Sequence, residues 1–93
     1  MKTLVNVLLE RLIDIAYALE TASDSEVNSD FAVKILEMTA AGLQNLDQQD
    51  LESLQGSVES FAKNEVDPSR RQFLGDFVEN FGLSSASTSR GLA

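Results

Sequence analysis

The chain contains no cysteine and no histidine. Without cysteine no disulfide can staple the fold, and thiolate metal sites and thiol catalysis are excluded. Without histidine the commonest general base and the commonest transition-metal ligand are both missing. Cations are scarce: fifteen carboxylates stand against seven basic residues, a formal net charge of −8. From Asp14 to Glu59 there are ten carboxylates and a single cation, Lys34. Such a field repels nucleic acid and anionic membranes and attracts basic partners. The N-terminal apolar run is interrupted by Asn6, Glu10, Arg11 and Asp14. It is too polar for a signal-peptide core and too short for a membrane span. The expectation is a cytoplasmic protein with neither nucleic acid nor membrane as partner.

What is present reads as helix. Ninety-three residues fit one domain, and an apolar content of 43 % suits a folded chain. Val5, Leu8, Leu12, Ile15 and Leu19 recur at spacings of three and four, which predicts a helix over Lys2–Glu20 with these side chains on one stripe. Leu4, Leu9 and Ala16 widen the stripe. The alternating spacing also suits packing against another helix along its whole length. The polar stretch Thr21–Ser29 reads as a loop, with Ser29 as the cap of a second helix that reaches about Leu46. Ala32, Ile35, Leu36, Thr39, Leu43 and Leu46 form its inner face. Asp47 caps a third helix carrying Leu51, Leu54, Val58 and Phe61. Asp67-Pro68 opens a fourth, because aspartate caps and proline at the first helical position forfeits no hydrogen bond. Phe73, Leu74, Phe77, Val78 and Phe81 follow, and Gly82 closes the helix.

No run alternates with the period of a strand. The fold class is therefore expected to be all-α, a small antiparallel bundle of about four helices over residues 1–83. Residues 84–93 are small, polar and aperiodic, and a flexible, disordered tail is expected there.

Few side chains suggest chemistry. Asp47, Asp50 and Glu52 lack the glycine-containing twelve-residue spacing of a calcium loop, and capping and solvation explain them. Glu10 and Asp14 lie one turn apart with no nucleophile or base beside them, as solvated carboxylates do. The stripe of Phe73, Phe77 and Phe81 reads as core. Gly42, Gly56 and Gly75 each fall inside a predicted helix, where glycine is costly, and close helix approach is the expected reason. Arg70 and Arg71 read as partners for carboxylates such as Glu65 or Glu79. No catalytic residue, cofactor site or metal site is assigned, and the chain is expected not to be an enzyme.

Small size, dense carboxylates on the first three helices and the lack of active-site residues give Met1–Leu83 a resemblance of type to acidic helical immunity proteins, which bacteria make against their own toxins. The resemblance rests on no motif and transfers no individual residue. It implies an inhibitor that neutralises a basic toxin domain by covering a surface. The partner-binding residues expected from charge are Glu37, Asp50, Glu52 and Glu59, the last three sitting together on the third helix. The alternative is a self-associating helical scaffold or regulatory subunit, and a homodimer is compatible with either.

Overall fold

A computed structural model describes residues 3–83; the tail expected at 84–93 lies outside the described residues. The chain is all-α. Four helices follow in order: α1 (Leu4–Thr21), α2 (Ser29–Gln44), α3 (Gln48–Asn64) and α4 (Pro68–Asn80), with no strand among the described residues.

The helix starts follow from side chains that accept the otherwise unbonded backbone N–H groups of a first turn. Thr3 caps α1, its Oγ1 accepting from the Asn6 N–H at 3.1 Å. Asp47 caps α3 by accepting from the Asp50 N–H at 2.9 Å. Asp67 caps α4 by accepting from the Ser69 N–H at 2.9 Å, with Pro68 in the first turn. The second helix departs from expectation by one residue. Asn28, not Ser29, is its cap: Asn28 Oδ1 accepts from the Phe31 N–H, and the Asn28 carbonyl accepts from the Ala32 N–H, both at 3.0 Å. Asparagine and serine cap about equally well, so composition alone does not choose between neighbours.

The chain divides into two compact units, Met1–Met38 and Thr39–Ala93, with the division falling inside α2. In the first unit the buried apolar residues are Ile13, Ala16 and Ala32. The stripe expected to face inward on α1 does not. Leu4, Val5, Leu8 and Ile15 are exposed, Leu12 and Leu19 are half-buried, and the buried line passes through Ile13 and Ala16. The physical reason is that α1 is apolar around most of its circumference. At about 100° per residue, Leu4, Leu8 and Ile15 lie more than 90° away from Ile13 and Ala16 on average. Spacing identifies an apolar stripe, and this helix has two.

In the second unit, α3 and α4 pack against each other. They run antiparallel: residues 65–67 join them at one end, and Gln55 Nε2 of α3 reaches the Leu83 carbonyl beyond α4 at 2.6 Å. The core is Leu51, Leu54, Val58, Leu74, Phe77, Phe81 and Leu83, all buried. The expected aromatic core is borne out for Phe77 and Phe81, whose rings stack with centroids 4.2 Å apart. Half-buried Phe73 meets Phe77 edge-on at 5.9 Å.

The end of α4 explains a core residue that periodicity misses. The Leu83 N–H donates to the Val78 carbonyl at 2.7 Å and the Gly82 N–H to the Glu79 carbonyl at 3.1 Å, while Gly82 has φ +70°. This is the Schellman arrangement, in which the residue after the left-handed glycine folds back onto the last turn. Leu83 is accordingly 0 % exposed. Gln44 Nε2 donates to the Phe81 carbonyl at 2.7 Å, so glutamine amides satisfy carbonyls on both sides of the turn.

Candidate protein-binding surface

The carboxylates of α3 divide by helix geometry into two sets. Glu52 and Glu59 are seven residues apart, so they share one face about 10 Å from each other along the axis. Asp50 is about 180° around the helix from Glu59. All three are exposed. The expectation that Asp50, Glu52 and Glu59 sit together therefore fails for Asp50. Near neighbours in sequence point to different sides of a helix, and the buried stripe of Leu51, Leu54 and Val58 runs between the two sets. Glu37 is exposed on α2 within the first unit, whereas the other three belong to the second.

Each acidic group also has local work. Asp47 and Asp50 sit at the positive end of the α3 dipole, and Lys63 sits in its last turn at the negative end. Asp47 is engaged in its cap, which accounts for the calcium-like cluster. Glu52 accepts from Gln48 Nε2 at 3.2 Å. Glu59 pairs with Lys63 at 3.5 Å, both side chains well exposed, so this ion pair holds neither group firmly. Asp14 pairs with Arg11 at 3.0 Å, one turn along α1.

Beside Glu59 the α3–α4 hairpin opens a groove of about 340 Å³. Val58 and Ala62 of α3 and Leu74, Gly75 and Val78 of α4 form its apolar lining, with Gln55 and Glu59 completing it from the polar side. These positions, Glu59 apart, are absent from a search by charge, because their significance lies in two helices meeting. The one available signal is Gly75. Its expected role in close helix approach is not what the structure shows: an added Cβ at Gly42, Gly56 or Gly75 meets nothing within 4 Å. At Gly75 the open space is the groove itself.

Of the two arginines expected on carboxylates, Arg70 is found on Glu65, whereas Arg71 meets backbone carbonyls of the α3–α4 connection. Arg70 Nε meets Glu65 Oε1 at 3.0 Å with both side chains largely buried. Arg71 Nε donates to the Glu65 carbonyl at 3.0 Å. Both guanidiniums thus brace the hairpin's closed end.

Among the described residues no group of three or more carboxylates is placed to hold a metal ion, and no helix is long and apolar enough to cross a membrane. Comparison with protein-family models, with curated proteins and with solved structures finds no match to this chain.

Proposed function

We propose that this chain is a non-catalytic protein-binding inhibitor of the immunity type, which holds a basic segment of a target protein against the α3–α4 hairpin. The observation that carries the reading is an apolar groove with carboxylates on one flank, Glu59 beside its lining and Glu52 two turns earlier on the same face. An apolar trough gives contact area, and a charged rim sets orientation and encounter rate. A basic helix or loop with alkyl side chains between its cations fits both. The dense carboxylates elsewhere on the chain add to the attracting field without contacting the ligand.

The test is co-purification from the native host, followed by binding measurements with variants on the recovered protein. Glu59→Lys and Glu52→Lys should each weaken binding and slow association, with association falling steeply as salt rises. Asp50→Asn should have little effect, because Asp50 lies on the far side of α3. Gly75→Leu, which fills the groove, should weaken binding while leaving the melting temperature near its starting value. Equal effects at Asp50 and Glu59 would replace the groove with a diffuse electrostatic attraction. Binding indifferent to all four variants would place the contact elsewhere.

A further inference from the structure

The groove and the exit of the chain from α4 share residues. Gln55 and Val78 both line the groove. Gln55 Nε2 donates to the Leu83 carbonyl at 2.6 Å, and the Leu83 N–H donates to the Val78 carbonyl at 2.7 Å. Both backbone polar groups of Leu83 are thus held by groove residues, and the chain beyond it starts at the Gln55–Val78 end. We infer that residues 84–93, the chain's own tail, dock in this groove, with Leu92 on the apolar lining and Arg90 on Glu59.

The tail and the groove are complementary. Residues 84–93 contain one charged side chain, Arg90, and one bulky apolar one, Leu92. The groove offers an apolar lining of Val58, Ala62, Leu74 and Val78 and one carboxylate, Glu59. Arg90 and Leu92 are two residues apart, so extended backbone presents both to the same side. Only serine, alanine and threonine lie between Leu83 and Arg90, and none of them is bulky or charged. Glu59 is open to exchange its partner: Lys63 meets it at 3.5 Å with both side chains well exposed, a weakly held pair. An arginine fork matches a carboxylate better than the point charge of lysine does.

Length fits as well. Gln55 and Ala62 mark the two ends of the groove on α3, seven residues or about 10 Å apart along the axis. Seven residues separate Leu83 from Arg90, and a serine-rich segment of that length spans about 13–16 Å on average. A linker whose mean span is close to the distance it must bridge gives an effective concentration near its maximum, in the millimolar range. Two anchoring side chains make a weak contact, which that concentration is enough to populate. An outside ligand must then displace the tail, which weakens its apparent affinity roughly two- to tenfold. This consequence rests on the groove being a binding site, as proposed above; the docking itself needs no partner.

Amide and methyl NMR shifts of the full chain at low salt test the docking. Leu92→Ser and Arg90→Glu should each move the signals of Val58, Ala62 and Gly75. Ala62 is the decisive reporter, because it lies at the end of the groove away from Leu83. Filling the groove by Gly75→Leu should move the signals of Arg90 and Leu92 and cancel the effect of Leu92→Ser at Ala62. The shifts should not change between about 50 µM and about 1 mM, since an intramolecular contact is independent of dilution. A peptide of residues 84–93, added to the chain carrying both tail substitutions, should move the same groove signals. Its Kd there should be roughly two- to tenfold lower than for the unchanged chain. An Ala62 signal indifferent to both tail substitutions would overturn the docking, and shifts that grow with concentration would assign the groove to a neighbour's tail instead. Equal peptide affinity for the two chains would overturn the competition. Docking shifts in a chain that binds no basic partner would leave the tail in place and remove only the inhibitor reading. A basic partner bound at Glu59 without docking shifts would do the opposite.

Discussion

Gly82 is where one residue type decides the local structure. Its φ of +70° is a left-handed conformation, which costs a residue with a Cβ about 1–2 kcal/mol. A Cβ there would also lie 2.6 Å from Gln44 Nε2, the atom that donates to the Phe81 carbonyl. Gly82→Ala should therefore destabilise by at least that 1–2 kcal/mol, measured by chemical denaturation, since strain and a displaced hydrogen bond act together. An unchanged midpoint would mean that the turn re-forms without them. Glu26 shows the other residue-scale effect. Its carboxylate accepts from the Ser23 N–H at 2.9 Å and from Ser23 Oγ at 3.1 Å, and the backbone donor first, then the hydroxyl, hold its pKa below the ordinary glutamate value. A lowered folded-state pKa means the stabilisation is present at neutral pH and fades as pH falls through that value. An NMR titration should place Glu26 below the ordinary glutamate range, and Ser23→Ala should restore only part of the shift because the backbone donor remains.

At the scale of elements, α1 and the helix glycines carry the sharpest contrasts. Ile13 and Ile15 are two residues apart, yet one is 1 % exposed and the other mostly in solvent. Ile13→Ala should cost about 2–5 kcal/mol through lost burial and a residual cavity. In dilute solution the same change at Ile15 should stay within about 0.5 kcal/mol. Similar losses from both in thermal melts would restore the inward-facing stripe that spacing suggests. Gly56 is exposed on α3 with open space where a Cβ would go. Gly56→Ala should raise stability by about 0.5–1 kcal/mol, the ordinary penalty of glycine inside a helix. A loss would mean that the bare backbone at Gly56 has a packing role after all.

For the whole molecule, the acidic excess is a field of net charge −8. Under the proposed function it steers a basic partner towards the Glu52–Glu59 face, and salt screens that attraction. A salt series on the association rate therefore measures how far the field carries the encounter. The absence of histidine removes the usual switch near neutral pH, so ionic strength is the sharper experimental variable.

Helix identity and most helix starts were legible in the residues themselves. Asp47, Asp67-Pro68 and Gly82 act through the backbone within a turn or so of their own positions, and such short-range bonds do not depend on the rest of the fold. The inner faces of α3 and α4 were legible for a related reason: each has a single apolar stripe, and only one side can be buried. On α1 two stripes compete at similar apolar content, so nothing local chooses Ile13 over Ile15; packing does. The same holds for the candidate site. Charge counting singled out Asp50, Glu52 and Glu59 alike; helix periodicity puts Asp50 opposite Glu59, but which of the two borders a groove is decided by where α4 packs. The groove itself is made where α3 lies against α4, bringing Val58 and Ala62 beside Leu74 and Val78. No residue of either helix announces that meeting, because it exists only after the hairpin has closed.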